Sequence, residues 1–285
     1  MASARRFLHV CDMHLASVYA LGHHDREIDR LQFQSRIIEP VTRRLIRECG
    51  IGPGMRVLDI GCGAGDVSML LADTVGDTGH VVAFDREARV IETAKARALA
   101  AGYRQIDFVV ASDEAFPEGP AFDAAIGRYV LHHQLDPVTT IRRAARAVRR
   151  GGVVAFHEPA GHVDAHILPA VDLYVELEQC LNFAFNVMLP HRDVGGRLIA
   201  CFEEADLPAP RLIWESIAGG HDSPLWRLFA MTYQSMLPQI ERLRLVPPPG
   251  SGDPETLADR LAAAAAAVRA QIVSKPQSCA WAIRS

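Results

Sequence analysis

The sequence predicts an α/β fold built on a seven-stranded, mostly parallel sheet with helices on both faces. Three observations carry this. From Met55 onward, short apolar runs end in turns and are followed by stretches of helical period, the pattern of parallel strands joined by crossover helices. One of those turns is glycine-rich and opens directly into a helix. Finally, 49% of the 285 residues are apolar, enough for one sizeable core with insertions.

The elements follow in order. Residues 19–49 are highly charged, with Ile28, Leu31, Ile37, Ile38, Val41 and Leu45 spaced for amphipathic helices. We read residues 1–50 as an N-terminal helical cap and 51–285 as the ligand-binding domain. Strands are expected at 56–60, 80–85, 106–110, 122–127 and 152–158. Helices are expected at 87–101 and 138–150, the second closed by Gly151 and Gly152, where helices commonly stop. Residues 167–188 have helical period where a plain sheet needs only a short crossover, so 160–190 reads as a lid insertion. A helix at 194–205 and strands at 211–216 and 278–283 complete the sheet. A second lid insertion, 222–273, holds a Pro/Gly loop at 247–252 and an alanine-rich helix at 261–268, expected to serve packing.

Charge and composition narrow the function. A net charge of −4 with no local concentration of Lys and Arg argues against a nucleic-acid partner. Residues 1–10 are basic but too poor in apolar residues for a secretory signal, and no apolar run reaches bilayer length. A cytoplasmic protein without a membrane partner is expected. The six cysteines are scattered, which predicts free thiols and no zinc. His162, Asp164 and His166 alternate as a strand's ligands could, but such a stretch reads first as a polar loop, and no metal is expected.

The run Val57-Leu58-Asp59-Ile60-Gly61-Cys62-Gly63-Ala64-Gly65-Asp66 places an acid at a strand end and three glycines at alternating positions before a helix. Glycines let backbone turn sharply and approach a ligand, and the free N–H groups of a helix start favour ligand oxygens. A dinucleotide fingerprint needs glycine three residues after Gly63, where this chain has Asp66. A pyrophosphate would be repelled by Asp59 and Asp66. S-adenosylmethionine (SAM) has no phosphate, and its sulfonium and amino groups suit nearby carboxylates. Asp85 ends the next strand, about 20 residues on, where an acid can take ribose hydroxyls. A helix N-cap is the alternative there, and the loop upstream favours the ribose.

On these segments the chain resembles a class I SAM-dependent methyltransferase of the ubiquinone/menaquinone-methyltransferase-like group, which includes many natural-product enzymes. The matching segments are 57–66, 81–85, Phe122-Asp123 through Gly127-Arg128 to His132-His133, and Arg149 through Gly152 with Glu158-Pro159. The resemblance implies a Rossmann-like sheet, SAM as cofactor, and a cofactor site drawn from Asp59, Gly61, Cys62, Gly63, Gly65, Asp85, Arg86 and Arg128. The group's adenine-contacting Asp stands five residues before a Pro. Counting back from Pro117 gives Ser112, with Asp113 beside it, so either residue can take that role. Tyr19-Ala20-Leu21-Gly22 and Glu27, Arg30, Leu31 and Gln34 are similar to a pre-core segment of part of the group. That implies a cap closing over the cofactor with Tyr19 near the substrate; an ordinary amphipathic helix entry is the other reading.

Methyl transfer is an in-line displacement that gains much from alignment in a dry pocket, so a general base is optional. Candidate bases belong at the carboxyl ends of strands or on the lid. His157 and His191 are the candidate catalytic residues. His157 and Glu158 are adjacent on one strand and must face opposite ways. His132 and His133 belong to the group's general pattern and read as structural. Tyr174, Phe183, Met188 and Trp226 lead the aromatic and Met residues of the two insertions as candidate substrate contacts, and Phe185, Phe229, Tyr233 and Met236 share the pattern. They suit an apolar or aromatic small molecule methylated at O, C or N. A SAM-binding protein that steers a cyclisation or regulates, and an NAD-dependent oxidoreductase, are the competing functions. The cap helices leave a homo-oligomer open.

Overall fold

A computed structural model describes residues 25–112, 116 and 121–285. Its main sheet has seven strands in the order β3-β2-β1-β4-β5-β10-β7. These are β1 (Arg56–Ile60), β2 (His80–Asp85), β3 (Ile106–Val110), β4 (Phe122–Arg128), β5 (Val148–Pro159), β7 (Arg211–Glu215) and β10 (Gln277–Ile283). Strands β1 to β5 run parallel, and β10 is antiparallel to both β5 and β7.

Alternation along the strands sorts the core into two layers. Val57, Ala124 and Ala155 face α1 (Asp25–Glu48), α2 (Asp66–Val75) and α3 (Ala88–Ala100), whereas Leu58, Ala125 and Phe156 face α4 (Pro137–Ala147) and α6 (Leu198–Glu204). Both faces are therefore covered, as a mostly parallel sheet requires.

A third core lies over the carboxyl ends of the strands. It joins α5 (Asp172–Met188), α7 (Pro224–Arg242), α8 (Leu257–Val268) and a small sheet of β6 (His166–Leu168), β9 (Gln271–Val273) and β8 (Ala218–Gly219). The sequence pattern placed a helix over 167–188, but 166–168 pairs with β9 and the helix starts only at Asp172. The insertion expected at 222–273 contains a 19-residue helix, α7, besides the alanine-rich one.

One boundary differs for a clear reason. The helix expected over 138–150 ends at Ala147, because Val148 already pairs with Phe122 in the sheet. The register shifts between Phe122 and Ala124, and the intervening residues turn through Gly151, whose φ is 74°. A Cβ on Gly152 would stand 2.5 Å from the Asp123 carbonyl oxygen. Because the obstacle is backbone, Gly152→Ala is expected to cost about 1–3 kcal/mol, measured as a lower denaturation midpoint; an unchanged midpoint would show that this crossing has slack.

Candidate functional site

The glycine loop is shaped by three left-handed residues, Gly61, Gly63 and Gly65, with φ of 63°, 52° and 84°. A Cβ on Gly61 would stand 2.8 Å from Val130 Cγ2, so this turn needs glycine for space as well as for conformation. Backbone N–H groups fix the loop to β2, since Cys62 donates to the Phe84 carbonyl at 2.9 Å and Gly63 to Asp85 Oδ2 at 3.0 Å. The other oxygen of Asp85 accepts from Glu87 N at 3.0 Å. Asp85 thus caps the turn after β2 and still borders the cavity.

Asp59, at the end of β1, is almost wholly buried and accepts from Ser68 Oγ at 2.5 Å. Burial pushes its carboxyl from 3.8 to about 7, opposed by the Ser68 hydrogen bond and the charge of Arg128. Asp66 is held by Arg97 of α3 at 2.8 Å.

Arg128 leaves β4 and donates to Thr42 Oγ1 at 3.2 Å and Ser35 Oγ at 2.8 Å, both on α1. No carboxylate among the described residues lies within ion-pair distance of it. Burial pulls its guanidinium below the usual range. On the same helix, Arg30 donates through Nε and Nη2 to both oxygens of Glu27, at 2.8 and 2.6 Å, and through Nη1 to Gln34. Arg30, Leu31, Gln34, Ile37 and Ile38 make one wall of a cavity of about 410 Å³, with the glycine loop as its floor. That volume lies in the usual range for small-molecule sites.

His157 lies behind the wall. Its Nε2 stands 3.0 Å from Gln277 Oε1 and its Nδ1 3.2 Å from Thr42 Oγ1. Gln277 donates its amide N–H to the Lys275 carbonyl, so its oxygen must accept from both Tyr129 and His157. That leaves Nδ1 as acceptor for the Thr42 hydroxyl. Burial lowers the His157 imidazole from 6.5 to about 3, helped by the charge of Arg128. A neutral ring with both nitrogens engaged, and outside the cavity lining, is a link between α1, β5 and β10.

Glu158, next along β5, points the other way and is fully buried. Its Oε1 accepts from Val130 N and Leu131 N, each at 2.8 Å, and its Oε2 stands 2.7 Å from His132 Nδ1. His132 borders the cavity, and its Nε2 has no hydrogen-bond partner among the described residues. A carboxylate that orients one ring nitrogen and leaves the other open is the arrangement of a positioned acid–base. The sequence pattern alone set His132 aside as structural. The alternation that sent Glu158 away from His157 was the available signal.

The other candidates divide. Tyr174 borders the cavity beside Phe185 and Phe229, its ring 4.6 Å from that of Phe229. Trp226 stands behind Tyr174, edge-on at 5.7 Å, and donates to the Gly220 carbonyl at 2.9 Å. Cys62 and Arg86 border the cavity beside the glycine loop. Ser112 and Phe183 are exposed and Met188 packs in the lid core, all three outside the lining. His191 is also outside, 3.0 Å from the Leu135 carbonyl through Nε2 and 3.3 Å from Arg197 through Nδ1. Tyr19 and Asp113 lie outside the described residues. Asp164 meets Asn182 and Lys275, and no group of three ligands fit for a metal occurs among the described residues.

Residues 51–187 match the family model described as a methyltransferase domain. The matched segment is just under half of the 285 residues. It contains Asp59, the glycine loop, Asp85, Arg128, His132 and Glu158, whereas α1, α7 and β10 lie beyond it. A 2-phytyl-1,4-naphtoquinone methyltransferase of Trichormus variabilis is 34% identical over 142 residues, 45% of this chain and 62% of that protein. An aklanonic acid methyltransferase of a Streptomyces species is 37% identical over 122 residues, 42% of this chain and 55% of that protein. The chain therefore spans less than two thirds of either relative. A SAM-dependent methyltransferase from Aquifex aeolicus has the same fold, with TM-score 0.53 at 18% identity over 67% of this chain and 93% of that one.

The site fits SAM, since a Cβ on Gly63 would meet no protein atom within 4 Å and Asp59 and Asp85 stand beside that space. A cation placed over Asp59 favours its ionised form and releases its proton. SAM affinity should therefore rise with pH until about 7, near the carboxyl's own value, and level off above it. Calorimetric titrations across that range check this, and an affinity that falls with rising pH would contradict it.

Proposed function

We propose that the protein transfers the methyl group of SAM to a small molecule with an apolar or aromatic body. One observation carries the proposal: a single cavity joins the acid-bordered glycine loop of a methyltransferase domain to an aromatic wall of Tyr174, Phe185 and Phe229. When bound, SAM supplies an electrophilic methyl on a positively charged sulfur. Asp59 and Asp85 are the groups for its cationic and ribose ends, and Arg128 for its carboxylate, charge against charge. Helix α1 and the lid exclude water along the cavity, which strengthens each of those contacts.

His132 is the base for an acceptor atom that carries an acidic proton. His132 Nε2 would take the proton that such an acceptor gives up when it is methylated. Glu158, 2.7 Å from Nδ1, stabilises the imidazolium that results. The names of the curated relatives, a naphthoquinone and an aklanonic acid methyltransferase, support an aromatic acceptor and a place in natural-product biosynthesis.

Calorimetry of the full chain with SAM, its demethylated product and NADH tests the cofactor. Both SAM forms should bind, and Asp85→Ala should weaken them by roughly 10- to 100-fold, the worth of a charge-assisted contact. Binding of NADH alone would sink the reading. With an acceptor identified by mass gain of one methyl, His132→Ala should lower kcat by about 10²- to 10⁴-fold and leave SAM affinity within a factor of about three. An unchanged kcat would remove His132 from the chemistry.

A further inference from the structure

The acceptor end of the cavity carries more positive than negative charge. Lys275 and Arg192 both border it, and so does Glu178. Lys275 Nζ is 2.7 Å from Glu178 Oε1, a pair with 24% and 11% of the side chains exposed. The second carboxylate near Lys275, Asp164 at 3.7 Å, is 69% exposed, so water screens it. Glu178 pairs directly with Lys275, whereas Glu178 and Asp164 act on Arg192 only through space, without an ion pair.

Arg192 is held firmly, but by neutral groups. Its Nη1 donates to the Asn182 carbonyl at 3.2 Å and to Asn186 Oδ1 at 2.5 Å, and its Nη2 donates to Asn182 Oδ1. No carboxylate among the described residues comes within ion-pair distance of it. Of the five guanidinium N–H donors, these bonds use three, leaving Nε–H and one Nη2 hydrogen. Amide carbonyls position a cation without neutralising it. A half-buried guanidinium left with spare donors favours an anion there.

Resting on the methyltransferase reading, we propose that the acceptor is an acid: an apolar ring body lying against Tyr174 and Phe229, with one anionic carboxylate gripped by Arg192. Asn182 and Asn186 position the guanidinium, and with Glu178 paired to Lys275 its Nε–H and one Nη2 hydrogen are left for the acceptor. A neutral quinone or hydrocarbon acceptor would leave those donors without a charged partner.

The test uses the full chain saturated with the demethylated form of SAM, titrated calorimetrically with 2-naphthoate and, separately, with 2-naphthamide, which has nearly the same shape and no charge. Naphthoate should bind at least about tenfold more tightly than the amide, and Arg192→Gln should bring the two close to parity. Glu178→Gln, which removes the neighbouring negative charge, should widen the preference, and this variant decides the matter if Arg192→Gln does not fold. Equal or stronger binding of the amide, no binding of naphthoate, or a preference that both variants leave unchanged would overturn the proposal. If the wild-type chain fails to bind the demethylated SAM at all, the methyltransferase reading itself has failed.

Discussion

The arrangement of the site depends on a buried carboxylate. Glu158 is enclosed at the end of β5, where an ionised side chain is tolerated only with its oxygens fully engaged. It gains that from Val130 N, Leu131 N and His132, all in the exit of β4. Holding Val130 there sets the wall against which Gly61 turns, so the position of the glycine loop depends on a residue almost 100 positions later. The same contact turns His132 into the cavity.

A second buried network joins the helical cap to the sheet. Thr42 on α1 receives Arg128 from β4 and meets His157 from β5, which in turn reaches Gln277 on β10. Each member would be costly to bury alone, and together their donors and acceptors close on one another. Its consequence is functional, because the helix that carries this network also supplies the Arg30 to Ile38 wall of the cavity. This wall of the cavity and the cap are therefore placed by one set of hydrogen bonds.

The acceptor end has a different origin. Helices α5 and α7 and the small sheet pack into their own apolar core, separate from the two layers that cover the main sheet. The family match ends within α5, before α7 begins. Asp59, the glycine loop and Asp85 thus lie inside the matched segment, while Phe229, Arg192 and Lys275 come from segments outside it.

The sequence by itself determined the sheet, because strand alternation and crossover helices are local patterns. It also determined the glycine loop, since left-handed turns at Gly61, Gly63 and Gly65 require glycine whatever surrounds them. Strands β1, β2 and β3 begin and end where the apolar runs do. Tertiary structure decided the end of α4, where pairing of Val148 with Phe122 overrode helix propensity. It also decided which of three histidines borders the cavity. His132, His157 and His191 look alike in the chain, and only the partners brought by distant elements separate them. Two have both ring nitrogens occupied, and one is held by Glu158 with its far nitrogen open. The donors left open at Arg192 likewise depend on α5 and the loop before α6 together, and no local pattern records that.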